Sequence, residues 1–126
     1  DMAYLAHVEH AAGAAALAEG DLEAATRRFQ EALQYRADHV PSLVGLARIF
    51  GLRGDWSSSL LIARQAELMS GGSDHLAYEV LSAAHAGLGD ATAARAAAEQ
   101  GLVLARAAGD DALVEAFEVR LRELRR

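Results

Sequence analysis

Apolar and polar residues follow a helical spacing in the last part of the chain. From residue 110 onward, apolar residues recur every three or four positions, and charged residues take the opposite face. The apolar stripe consists of Leu113, Phe117, Leu121 and Leu124, and the charged face consists of Glu115, Glu118, Arg122 and Arg125. This pattern predicts one amphipathic helix over 110–126, whose apolar face covers a neighbouring element.

An internal repeat occupies the preceding part of the chain. The dipeptide Gly-Asp occurs at 20–21, 54–55, 89–90 and 109–110, and small residues recur at fixed distances from the first three. They are Gly13, Ala47 and Ser82 before each glycine, and Ala25, Ser59, Ala94, Ala32, Ala66 and Gly101 after it. Glycine ends a helix in the left-handed conformation, and aspartate caps the next helix. The pattern therefore predicts three closely packed antiparallel helical hairpins.

These spacings resemble the tetratricopeptide repeat, a helical hairpin of about 34 residues. The repeats are predicted at 6–39, 40–73 and 75–108, followed by a capping helix at 110–126. The resemblance implies a single all-α domain, an α-solenoid of three helix-turn-helix hairpins plus a C-terminal cap. The sequence departs from the family pattern in several places. One extra residue enters at 71–74, the usual proline is replaced by Ala37, Gly71 and Arg106, and bulky positions hold Glu9, Ala16 and His85.

Composition and charge exclude several functional classes. The chain has 52 % hydrophobic and 24 % charged residues, which is too apolar for a disordered segment and too charged for a membrane protein. A net charge of −6 argues against nucleic acid, because phosphate binding needs clustered Lys and Arg. There are no cysteines, so thiolate metal sites and cysteine nucleophiles are excluded. The chain starts abruptly without methionine, which suggests a processed protein or an excised domain. The cytoplasm is favoured, and the periplasm stays open if a leader was removed.

In tetratricopeptide arrays the first helix of each hairpin lines a concave groove, and family members usually bind partners there. The resemblance implies that this chain has such a groove, mostly apolar, with Arg48 and Glu79 setting its specificity. The predicted groove residues are His7, His10, Ala14, Leu17, Val44, Arg48, Leu76, Glu79 and Ala83. Such a surface suits an apolar or amphipathic helix or an extended segment. Alternatively, further repeats stacked on the N-terminal side bury part of it.

One subgroup of the family holds C-terminal carboxylates with Lys and Asn at set groove positions. Those positions here are Ala14, Gly45, Leu76 and Val80. We therefore do not expect an acidic tail as the ligand.

Other residues have competing interpretations. His7 and His10 share a helical face and have workable metal-ligand geometry, but a third ligand would have to come from a distant residue, so we predict no metal. Trp56 is the only tryptophan, and it is either an interaction hot spot or, at a packing position of the repeat, a core residue. Three serines at 57–59 lack the surroundings of a nucleophile and are typical of the start of a helix.

The sequence predicts a protein-interaction scaffold or adaptor that binds a protein or peptide segment in its groove and is not an enzyme. It predicts no cofactor, no nucleic-acid partner and no membrane insertion, and it leaves self-association open. The alternative is a regulatory or assembly domain of a larger enzyme or secretion complex, packed on a catalytic domain or on itself.

Overall fold

A computed structural model describes residues 1–125 of the chain, and within this range all regular structure is helical. The predicted helix at 110–126 ends on Arg126, which lies outside the described residues. The helices are α1 (Met2–Ala18), α2 (Leu22–Tyr35), α3 (Val40–Leu52), α4 (Trp56–Met69), α5 (His75–Gly87), α6 (Ala91–Ala108) and α7 (Asp111–Leu124). They form three antiparallel hairpins, α1–α2, α3–α4 and α5–α6, followed by α7.

The Gly-Asp dipeptides at 20–21, 54–55 and 89–90 form the turns within the three hairpins. Each glycine has a positive φ, for example 80° at Gly20 and 77° at Gly54, where a side chain would be strained. Each aspartate then caps the next helix, and the Asp21 carboxylate accepts a hydrogen bond from the Ala24 N–H at 3.1 Å. The extra residue at 71–74 is accommodated by two consecutive glycines with positive φ, Gly71 and Gly72.

The helices stack in chain order rather than closing into a bundle. Each helix packs on the next, and the first helices of the hairpins also lie side by side, α1 on α3 and α3 on α5. We call α1, α3 and α5 the inner helices and α2, α4 and α6 the outer helices. This arrangement confirms the predicted solenoid of three hairpins and a cap. Within residues 1–125, none of the helices is both long and apolar enough to cross a membrane.

Two small residues of the repeat, Ser59 and Ser82, join the helices of their hairpins through hydrogen bonds. Both are fully buried, and each hydroxyl donates to a backbone carbonyl of the other helix. The distance is 2.7 Å from Ser59 Oγ to the Ala47 oxygen and 2.8 Å from Ser82 Oγ to the Ala94 oxygen. Because the helices approach this closely, the serine hydroxyls are satisfied inside an otherwise apolar contact.

The Phe29 ring fills the space between the first two hairpins. It is 1 % exposed and lies against Gly13 of α1 and Gly45 of α3. A Cβ atom at Gly13 would lie 2.7 Å from the ring, and one at Gly45 would lie 2.6 Å from it. These glycines are therefore needed for space in mid-helix, which explains why the chain tolerates their low helix propensity.

The cap α7 is held at its middle and at both ends. Phe117 is 1 % exposed and packs where Gly101 of α6 lacks a side chain. At the start of the helix, Asp110 Oδ2 lies 2.9 Å from the Nε2 atom of His75, which is the first residue of α5. At its end, the Arg95 guanidinium donates to the Leu124 carbonyl at 3.3 Å. Together these contacts fix α7 across the end of the third hairpin.

Candidate functional site

The inner helices border two adjacent hollows, which together we call the inner groove. The α1–α3 hollow has a volume of about 380 Å³ and the α3–α5 hollow about 270 Å³. The first is lined by His10, Ala14, Leu17, Ala18, Phe29, Pro41, Val44, Gly45, Arg48, Asp74 and Leu76. The second is lined by Ala47, Arg48, Gly51, Leu52, Trp56, Ser59, Glu79, Val80 and Ala83. Arg48 lines both hollows and so forms the wall between them.

Eight of the nine residues predicted for the groove line one of these hollows. The ninth, His7, is exposed and lies outside both. Val44 is only 5 % exposed and belongs to the hydrophobic core, so it forms the floor of the α1–α3 hollow rather than an open contact surface. An aspartate at Val44 would bury a charge and unfold the chain as well as perturb the groove. A Val44→Asp variant would therefore not report on binding in the groove separately from folding.

Arg48 and Glu79 contact each other across the wall of the groove. The Arg48 guanidinium donates a hydrogen bond to Glu79 Oε1, and the two side chains are 37 % and 25 % exposed. Sequence reasoning placed both residues in the groove and left them free to contact a partner. Because α3 and α5 lie side by side, each charge has its counterion inside the chain.

The third charged side chain in the groove is Asp74. Its Oδ1 accepts a hydrogen bond from the Leu76 N–H at 2.9 Å, which caps α5. The carboxylate therefore has a structural partner in the backbone of α5.

Trp56 packs between helices and also lines the groove. Its indole packs on the backbone of α3 and α5, where Cβ atoms at Gly51 and Gly87 would lie 2.8 Å and 2.2 Å from the ring. It is half-buried and also lines the α3–α5 hollow, beside the exposed Leu52. Leu52 was not predicted for the groove. Leu52 lies one helical turn after Arg48 on the same face of α3, so the spacing could have placed it in the groove.

Histidines cluster beside the α1–α3 hollow, which His10 lines. The His10 ring centroid lies 5.5 Å from that of Phe29 and 5.6 Å from that of His39. Burial lowers the pKa of His10, and the neighbouring His39 and His7 lower it further. Burial also lowers the pKa of His39, which contacts the Ser42 hydroxyl at 2.8 Å. Both imidazoles are therefore favoured in the neutral form at neutral pH. No group of three ligating side chains with metal-binding geometry occurs among residues 1–125.

Comparison with known proteins supports the architecture. No family model matches the sequence, and no curated protein matches it. The chain superimposes on a solved structure, the Arabidopsis OM64 TPR domain, with a TM-score of 0.85 and 18 % sequence identity. The match covers 99 % of this chain and 98 % of that one. The predicted resemblance is thus confirmed at the level of the fold: the chain has the fold of a tetratricopeptide-repeat domain.

Proposed function

We propose that this tetratricopeptide-type solenoid is a non-catalytic protein-interaction module, which holds a segment of a partner protein in the inner groove. The observation that carries the proposal is the pair of adjacent hollows, which are mostly apolar and are bordered by three successive inner helices. Concave apolar hollows with a few polar groups are the usual form of a binding site. A helix or an extended segment would gain affinity by burying apolar side chains in them.

Exposed leucines at the ends of helices allow a matched test. Leu52 is 64 % exposed, ends α3 and lines the groove, whereas Leu68 is 74 % exposed and lies in the last turn of α4, an outer helix. A lysine at either position is compatible with folding, because a positive charge is favoured near a helix C-terminus. We expect Leu52→Lys to weaken partner binding about tenfold or more, while Leu68→Lys retains it.

The measurement is affinity capture from the native extract, with quantitative mass spectrometry on the wild-type chain and both variants. A partner recovered by wild type and Leu68→Lys but lost with Leu52→Lys supports the proposal. Leu76→Asp gives a second test, because Leu76 lines the other hollow and an aspartate is tolerated in the first turn of α5. If both groove variants capture the same proteins as the wild type, the groove is not the binding surface.

A second candidate function is assembly through α1, and one observation favours it. The side of α1 that faces away from the stack exposes apolar residues, among them Tyr4 at 65 % and Val8 at 41 %. The repeat positions equivalent to Val8 are Ser42 and Ala77, which are buried. In this role α1 would pack against α1 of a second copy of the chain. Sedimentation of the wild type and Val8→Glu tests it: a dimer that dissociates in the variant supports assembly, and a monomer at every concentration contradicts it.

A further inference from the structure

Each charged side chain that lines the inner groove has an interaction partner within the chain. Arg48 is paired with Glu79, and Asp74 is hydrogen-bonded to the backbone at the start of α5. The other lining side chains are apolar or small, apart from the buried Ser59 and the half-buried His10. His10 is favoured in its neutral form, because burial and the neighbouring histidines lower its pKa. The groove thus offers apolar contact area without a free counterion.

A charged ligand group that uses Arg48 or Glu79 as its counterion would compete with the pair between these two side chains. A ligand carboxylate that takes Arg48 leaves Glu79 unpaired beside it, and a ligand ammonium that takes Glu79 leaves Arg48 unpaired. Removing one member of a partly desolvated pair costs more than the pair itself contributes, because the remaining charge keeps its desolvation penalty. Both side chains are partly exposed, and water reduces that penalty. Anions are the least favoured ligands, since Asp74 and Glu79 leave the lining with one net negative charge.

We propose that the Arg48–Glu79 pair is a charge filter, which makes the inner groove select uncharged apolar segments whose side chains enter the two hollows on either side of the pair. This inference rests on the proposed function and specifies the chemistry of the partner. Discrimination arises from the penalty that the groove imposes on charged competitors, in addition to its attraction for apolar ones. Arg48 lies between the two hollows. The apolar side chains that a ligand inserts into the two hollows would therefore lie on opposite sides of Arg48.

The filter is tested by selecting peptides from a tryptophan-free random library displayed on phage. Selection is run in parallel on the wild type, Glu79→Gln, Arg48→Gln and the double variant. Synthetic peptides from each selection are titrated while the fluorescence of Trp56 is recorded. Trp56 is the only tryptophan and lines the α3–α5 hollow, so its emission reports occupancy of the groove. Circular dichroism verifies that each variant is folded, and Leu52→Lys verifies that the peptide binds in the groove.

For the wild type we expect peptides with apolar, uncharged contact residues, and about tenfold weaker binding when one contact residue is replaced by Asp or Lys. Tenfold corresponds to about 1.4 kcal/mol. Glu79→Gln frees the arginine and should select Asp or Glu, whereas Arg48→Gln frees the glutamate and should select Lys or Arg. The double variant has neither charge and should show neither of these two preferences.

Two results would overturn the inference in different ways. Charged peptides that bind the wild-type groove as well as their uncharged versions, or an unchanged preference in Glu79→Gln, would refute the filter and leave groove binding intact. If no peptide changes the Trp56 emission of any variant, both the filter and the proposed binding function fail.

Discussion

Replacing Gly45 by alanine sets two physical effects against each other. Gly45 lies inside α3, where alanine is favoured by about 1 kcal/mol because it restricts the unfolded chain and suits the helix. The new Cβ would, however, lie 2.6 Å from two carbon atoms of the Phe29 ring. Favourable contacts between carbon atoms lie at about 3.5–4.0 Å, so ring and helix would have to separate by about 1 Å.

The ring has little freedom to move away. Phe29 is 1 % exposed, and its other edge already occupies the position that a Cβ at Gly13 would take. The contact between α1 and α3 must therefore open. Overpacking a filled core costs about 1–3 kcal/mol, which outweighs or at least cancels the gain in helix propensity. We expect Gly45→Ala to lower the free energy of unfolding by about 1 kcal/mol.

Urea denaturation followed by circular dichroism measures this effect. The exposed Ala15 of α1 provides the control, because Ala15→Gly changes helix propensity alone and should cost about 1 kcal/mol. The double variant Gly45→Ala with Phe29→Leu should lose less stability than the sum of the two single variants, because the smaller side chain removes the clash. If Gly45→Ala is more stable than the wild type, the space between α1 and α3 is looser than the structure indicates and the reasoning is wrong.

Three further predictions concern other contacts. Ser59→Ala removes a buried hydroxyl bond and should cost about 1 kcal/mol in urea denaturation; an unchanged midpoint would show that the bond makes no net contribution. The lowered pKa values of His10 and His39 mean that the folded chain binds protons less readily than the unfolded chain. Stability should therefore be greatest above about pH 6.5 and fall towards pH 5, and a double His-to-Gln variant that keeps the full pH dependence would refute this. Asp110→Asn should weaken the contact of α7 with His75 and so speed amide hydrogen exchange in α7. The control Asp111→Asn should leave the exchange rate unchanged, and equal rates in both variants would contradict the prediction.

The fold could be predicted because its determinants are local and repeated. The Gly-Asp turns, the small residues of the repeat and the single apolar stripe of the last helix each depend on residues only a few positions apart. The groove was predicted only in outline, through the resemblance to tetratricopeptide arrays. Leu52 was missed although it lies one helical turn after Arg48 on α3. The place of Trp56 was left open, because it depends on how α4 turns back onto α3 and α5. The near-complete burial of Val44 was also missed, since spacing does not reveal how deeply one inner helix sits between its neighbours.

The sequence by itself determined that the chain forms helical hairpins that stack in order, because helix periodicity, capping and left-handed glycine turns are properties of short segments. Only the tertiary structure decided which distant side chains meet. The Phe29 ring between two glycines, the link from His75 to Asp110 and the pair of Arg48 with Glu79 join residues from different hairpins or helices. Whether a charge is free for a partner or neutralised within the chain depends on the distance between helices, and the order of residues does not encode that distance locally.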